Sequence, residues 1–179
     1  MKLDDFKTIW SKIGNSAELT FFFLWGEPTL NKNIAEFVRI AAQDAHVQIN
    51  TNGTLLTREM LVSLFDNGLG TLMFSIDGVT QPTYEKYRVG GNCNTAWDNL
   101  EMAVEIHREK SSKTDLFAAI IAFKHNEHEI DEFVSRCEKL GVRSLVRPAY
   151  VRYGSMDQPA NPKYHHPFSH TVDDQFRLI

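Results

Sequence analysis

Leu19-Thr20-Phe21-Phe22-Phe23-Leu24-Trp25-Gly26-Glu27-Pro28 decides the fold of this chain. The apolar run from Leu19 to Trp25, broken only by Thr20, reads as a strand buried on both faces. It is far too short to cross a bilayer. It stops at Gly26-Glu27-Pro28, a turn into the next element. The same order recurs twice downstream. His46–Asn50 reads as a second strand and is followed by Thr51-Asn52-Gly53; Thr71–Ile76 reads as a third and is closed by Asp77-Gly78. Gly26 to Gly53 is twenty-seven residues and Gly53 to Gly78 is twenty-five. Successive strand–helix units of this length predict a parallel sheet with right-handed crossovers, open or closed toward a barrel.

The segments between and around these strands carry helical periodicity. Leu3, Phe6, Ile9, Trp10 and Ile13 predict an opening amphipathic helix that ends near Gly14. Asn33, with Glu36 three residues on, is the expected cap of a helix that turns Ile34, Phe37, Val38 and Ala41 inward. Thr57 caps the next, which bears Met60, Leu61, Leu64 and Phe65 and stops at Gly68. A short helix is expected around Pro82–Tyr87, then a loop at Gly90-Gly91-Asn92. A longer helix from Asn94 follows, with Trp97, Leu100, Ala103 and Val104 on one side. Leu116–Phe123 and Val142–Tyr150 are the fourth and fifth strands. Between them lies a helix capped by Asn126, bearing Ile130, Phe133, Val134, Cys137 and Leu140, and ended by Gly141. After Arg152 the periodicity stops, and three prolines and three histidines read as a linker or tail.

Length and composition bound the function. A chain of 179 residues suits one domain with a real core, and 42% hydrophobic with 23% charged residues excludes disorder as the default. Nineteen Lys and Arg against twenty-three Asp and Glu give −4 with no basic block, so a nucleic-acid backbone is not the expected partner. Asp4 and Asp5 stand where a signal peptide would be apolar, and no run is long enough for a membrane span. Cys93 and Cys137 lie forty-four residues apart. That excludes a disulfide framework, a four-cysteine zinc site and an iron–sulfur cluster held wholly by this chain. A cytoplasmic location is the expectation.

In parallel strand–helix architectures, ligands bind where the strands' carboxyl ends meet their loops. Here those ends carry Gly26-Glu27, Asn50 with Asn52, and Ser75 with Asp77, residues two apart sharing a face. A crevice so lined suits a ligand with an amine or cation at one end and a diol elsewhere. Each motif also has a purely structural reading. Gly permits a positive φ, Pro starts a helix, and Asn-Gly and Asp-Gly are ordinary turn dipeptides. Their recurrence on three consecutive strands turns the reading toward a site. Tyr84, Tyr87 and Trp97 read as packing residues, Cys137 as a buried structural thiol and Cys93 as a loop cysteine without a role. His125 with His128 and His165 with His166 and His170 read as surface or tail histidines, and Arg143 with Arg147 as either a surface pair or an anion contact.

Taken together, Trp25-Gly26-Glu27-Pro28 with Leu30-Asn31, Thr51-Asn52-Gly53 with Leu55-Leu56-Thr57, and Ser75-Ile76-Asp77-Gly78 with Tyr84, Tyr87-Arg88 and Gly90-Gly91 resemble the radical SAM superfamily. The likeness is to the branch with a C-terminal SPASM or twitch extension, many members of which modify peptides or sugars. It covers residues 1 to about 150. It implies a partial (βα)6 TIM-like barrel, with residues 1–151 as an incomplete core and 152–179 as a linker or truncated extension. It also implies a cofactor, S-adenosylmethionine, laid across the strand ends. Gly26 and Glu27 match the segment that meets the methionine amino group. Ser75 and Asp77 match the strand end that contacts the ribose or methionyl part, Arg88 an arginine that pairs with the methionine carboxylate, and Asn52 is a further contact. The adenine falls to backbone near Arg147 and Pro148.

The family places Cys-x3-Cys-x2-Cys after its first strand to hold a [4Fe–4S] cluster, and no cysteine here precedes Cys93. The resemblance therefore implies that the first strand and cluster loop are missing and that five of six strands remain. Two readings follow. One is a fragment or truncated form of a radical SAM enzyme. In its intact form an electron donor and the cluster cleave S-adenosylmethionine to a 5′-deoxyadenosyl radical that modifies an unidentified peptide or sugar. The other is a redox-inert nucleoside-binding or scaffold domain. Either way Leu19–Trp25 becomes a sheet edge, which predicts self-association through residues 19–25.

Overall fold

The computed structural model describes residues 1–23, 25–149 and 159–165. In chain order the elements are α1 (Leu3–Ile13), β1 (Leu19–Phe22), α2 (Ile34–Ala41), β2 (His46–Thr51), α3 (Arg58–Asp66), β3 (Thr71–Ser75), α4 (Gln81–Tyr84), α5 (Cys93–Glu109), β4 (Asp115–Ala122), α6 (Ile130–Leu140) and β5 (Arg143–Pro148). The sheet order is β1-β2-β3-β4-β5. Sequence order equals spatial order, so each helical crossover steps one strand in the same direction. That is the winding of a barrel segment; a doubly wound sheet would reverse at a switch point. β1 pairs β2 in parallel from Leu19 opposite His46 to Phe22 opposite Ile49, and β2 pairs β3 from Gln48 opposite Thr71 to Thr51 opposite Phe74.

The described chain packs as two compact units, Met1–Ser75 with Asn94–Ala118, and Ile76–Cys93 with the described residues from Ala119 on. In the first unit the predicted helix faces are the buried ones. Phe6 of α1 stacks on Phe37 of α2 at 4.3 Å between ring centroids and on Trp10 at 5.6 Å, and all three are buried. Trp10 buries its indole because Nε1–H donates to Asp44 at 2.8 Å. Val47 and Ile49 of β2, Leu61, Leu64 and Phe65 of α3, and Trp97, Leu100 and Ala103 of α5 complete this core. Thr57 caps α3 by accepting from the Met60 N–H at 3.2 Å.

In the second unit Ile130, Phe133 and Cys137 bury the inner face of α6. Gly141 ends α6 at φ +72°, with the Val142 N–H bonded to Cys137 O and the Gly141 N–H to Glu138 O. That Schellman geometry needs a residue at ease with a left-handed backbone.

Several expectations are corrected. β1 spans four residues instead of seven and is not buried on both faces: Leu19 and Phe21 are 47% and 48% exposed. The sheet order makes β1 the outermost of the described strands. Asn33 precedes α2 but makes no capping bond, and Glu36 pairs with Arg39 instead. α4 ends at Tyr84, so Tyr87 lies beyond it and is half-exposed, its ring packed on Phe123 at 4.7 Å between centroids, while Tyr84 and Trp97 are buried. Cys93 opens α5 and is buried; it is not in a loop. Of the 152–179 segment, only 159–165 is described. Pro162–Tyr164 forms a short 3-10 turn there, and His165 Nε2 lies 2.8 Å from Pro159 O. Tyr150, His166 and His170 lie outside the described residues. Among the described residues no helix is long and apolar enough to cross a membrane.

Candidate functional site

The six candidate residues fall into two clusters, one in each unit. In the first, Gly26 stands at φ +87° with open space where a β-carbon would project. The exposed turn requires glycine for its backbone alone and leaves the main chain open to close approach. Glu27 follows and caps the Pro28–Leu30 turn. Its Oε1 accepts from the Thr29 N–H at 3.1 Å, the Thr29 hydroxyl at 2.7 Å and the Thr51 hydroxyl at 2.7 Å, and its Oε2 accepts from the Asn52 N–H at 2.7 Å. One carboxylate thus ties the loop after β1 to the end of β2, and charge-assisted bonds of this kind are the strong ones. Asn52 uses its Oδ1 on the Thr54 N–H and hydroxyl, and the Gly53 carbonyl accepts from Asn99 of α5 at 2.6 Å. Beside this turn lies a cleft of about 830 Å3 lined by Phe21, Phe23, Trp25, Gly26, Glu27 and Lys32 among others. Ser75 is half-buried at the end of β3, and among the described residues no hydrogen bond occupies its hydroxyl.

In the second cluster Asp77 is fully buried. Its Oδ1 accepts from the Ile121 N–H at 2.7 Å and its Oδ2 from Arg88 Nε at 2.7 Å. Its carbonyl accepts from Asn126 Nδ2 at 3.1 Å. Both carboxylate oxygens are therefore committed inside the protein. Arg88 is about a quarter exposed, sits over the Tyr87 ring at 5.5 Å, and spends only Nε on Asp77. Among the described residues no hydrogen bond uses its two terminal nitrogens. A guanidinium held this way keeps a fork free for an outside carboxylate.

Asn126 and Glu129 are the residues that the sequence reading missed. Asn126, expected as a helix cap, caps nothing with its side chain. It is buried, accepting from the Phe123 N–H and donating to Ile121 O and Asp77 O. Glu129 is 4% exposed and binds the turn after Asp77. Burial works to raise its pKa, but hydrogen bonds from Thr80, Val79 and Thr83 outweigh burial and hold it below the ordinary value. Asn-x-x-Glu before an apolar run is also the signature of a helix start, so the motif alone cannot show these side chains turning inward.

No set of three or more His, Cys, Asp or Glu among the described residues could hold a metal ion. His125 stacks on Phe123, and His128 lies near Glu129. Arg143 and Arg147 are exposed. Burial pushes the Cys137 thiol up to about 12, and the Cys93 sulfur is buried 3.4 Å from Val79 O and 3.5 Å from Gly78 O. Iron–sulfur ligation takes thiolates, so these residues do not fit a [4Fe–4S] cluster.

Comparison with known proteins agrees with the strand order. The model of the Radical SAM superfamily matches residues 11–143. The PqqA peptide cyclase of Bradyrhizobium diazoefficiens is 30% identical over 154 residues, 84% of this chain and 39% of that protein. The GTP 3′,8-cyclase of Desulforamulus reducens is 26% identical over 132 residues, 72% of this chain and 37% of that protein. Among solved structures, SuiB of Streptococcus suis superposes with a TM-score of 0.68 at 15% identity, over 88% of this chain and 36% of its own. Native anSMEcpe with bound AdoMet gives 0.63 at 16% identity, over 97% and 51%. At that identity the likeness is one of fold. The chain spans less than two fifths of the length of the two curated relatives. A family match over well more than half of its residues, on a sheet wound in the family's order, makes the chain a member of the radical SAM superfamily.

Proposed function

We propose that this chain is the S-adenosylmethionine-binding core of a radical SAM enzyme that acts on a peptide. The observation that carries the reading is the Glu27 clamp, which holds the open Gly26 turn beside an 830 Å3 cleft. An ammonium group wants oxygen acceptors, and the turn that Glu27 clamps offers its open main chain, the Glu27 oxygens being taken by Thr29, Thr51 and Asn52. In the first unit Gly26, Asn52 and Ser75 are the proposed cofactor contacts, with Glu27 acting through the turn it clamps. In the second unit, taken by itself, Arg88 is the proposed contact for a carboxylate, and Asp77 acts through Arg88 because its own oxygens are spent. S-adenosylmethionine supplies the adenosyl radical chemistry of the family; the residues here bind and orient it. The peptide assignment rests on the PqqA peptide cyclase relative. Residues 1–151 are the core and 152–179 a linker or truncated extension, and the protein works in the cytoplasm.

A second reading, a redox-inert nucleoside-binding or scaffold domain, is favoured by the two buried cysteines. Equilibrium dialysis of the 179-residue chain tests the binding that both readings share. We expect saturable S-adenosylmethionine binding with a dissociation constant on the order of 0.1–1 mM, weakened about tenfold by Arg88→Ala. No saturation, or the same affinity in the variant, would overturn the assignment.

A further inference from the structure

We infer that Glu129 is a positioning residue, whose buried carboxylate sets the turn between Asp77 and α4 and so holds Arg88 where its guanidinium meets Asp77. This rests on Arg88 as the carboxylate contact proposed above. The wiring forms a closed circuit within the second unit. It begins at Asp77, fixed to β4 by the Ile121 N–H and to Asn126 by its carbonyl. The chain then turns. Glu129 Oε2 accepts from the Val79 N–H at 2.6 Å and the Thr80 N–H at 3.3 Å, and its Oε1 accepts from the Thr80 hydroxyl at 2.5 Å. That hydroxyl lies 3.2 Å from the one on Thr83. Thr80 is the N-cap of α4, and its carbonyl accepts from the Tyr84 N–H. Tyr84 O accepts in turn from the Arg88 N–H at 2.9 Å, and Arg88 Nε closes the circuit on Asp77 at 2.7 Å.

Glu129 is the only carboxylate in this circuit besides Asp77. α4 is a single turn, too short to hold its own direction, so what fixes its N-terminus fixes where Arg88 emerges. Without the carboxylate, two turn amides lose their acceptor. Glutamine keeps the shape but offers one acceptor oxygen and sets an NH2 against a donor. Gln81 braces the far side of α4, accepting from the Cys93 N–H at 2.7 Å and donating to Gly91 O at 2.9 Å. The Cys93 sulfur meets the turn's Gly78 and Val79 carbonyls, and Glu129 takes its Val79 and Thr80 N–H groups.

The test reads Arg88 directly. In 15N-labelled wild type the Arg88 Nε–H exchanges slowly. In Glu129→Gln it exchanges about tenfold faster, while the α6 backbone amides keep their protection. In Thr80→Val, which removes one of the three bonds, the increase is about threefold. Unchanged Arg88 exchange in folded Glu129→Gln overturns the inference. If that variant does not fold, unchanged exchange in Thr80→Val does so. Ligand binding gives the second readout. Glu129→Gln should weaken S-adenosylmethionine about tenfold without affecting methylthioadenosine, which lacks the carboxylate, and should add nothing to Arg88→Ala. Equal losses for both ligands overturn the route through Arg88. If wild type binds no S-adenosylmethionine, the cofactor reading fails and the Arg88 exchange rate alone decides the role of Glu129.

Discussion

At the scale of single residues, three carboxylates do what the sequence offered as turn chemistry. Glu27, Asp77 and Glu129 each gather main-chain N–H groups that the sheet leaves unpaired at its strand ends. Asp77 and Arg88 are the costliest pair to break. Arg88→Ala strands a buried carboxylate and should lower stability by about 3 kcal/mol, at the low end for a buried pair because Arg88 is partly exposed. A urea midpoint unchanged from wild type would contradict this. Glu129 gives a pH signature. Its folded pKa lies below the ordinary 4.5, so the unfolded chain takes up the proton first as pH falls. Its contribution is complete above that ordinary value and is lost as pH drops through the folded one. Chemical denaturation between about pH 5 and 3 should therefore show a shallower acid limb in Glu129→Gln than in wild type. Parallel limbs would assign the acid sensitivity to other carboxylates.

At the scale of elements, β1 is the exposed member. Its neighbours in sequence, Phe23 and Trp25, extend an uncharged apolar stretch, and Trp25 is 94% exposed. We read its open edge as a pairing site for a second copy of the chain. An antiparallel partner about a twofold axis at Phe21 would set Leu19 opposite Phe23 and Thr20 opposite Phe22, so that like faces meet. Aromatic cross-strand pairs are the strong ones. Light scattering should show mass rising with concentration, and Phe21→Lys, an edge charge of the kind natural sheets use, should hold the chain monomeric. A wild type that stays monomeric at high concentration would remove this contact. The strand also shows what a run of apolar residues cannot say. Leu19–Trp25 reads as buried on both faces by composition, whereas lying outermost in the sheet leaves it half-open.

At the scale of the whole molecule, the strand order and the family match describe a barrel segment whose described residues lack cluster ligands. Anaerobic iron–sulfide reconstitution of these 179 residues should yield no stable cluster, and Ellman's reagent should find no fast-reacting thiol until denaturant is added. Burial protects both sulfurs, and the Cys137 thiol is held near 12. Incorporation of about four irons per chain would refute this account.

The sequence by itself determined the succession of strands and helices. Helical spacing picked out Phe6, Phe37, Leu61, Trp97 and Phe133 as inward residues, and all are buried. Thr57 and Gly141 announced a helix start and a helix stop, because caps and left-handed turns are local chemistry. The turn motifs also marked which residues stand at the strand ends. Only the tertiary structure decided what those residues touch. That Asp77 spends itself on Ile121 and Arg88, and that Glu129 reaches back to Val79, depends on pairs 44, 11 and 50 positions apart. A carboxylate's partners are chosen by which backbone amides the fold leaves unpaired beside it, and periodicity along the chain carries no record of that choice.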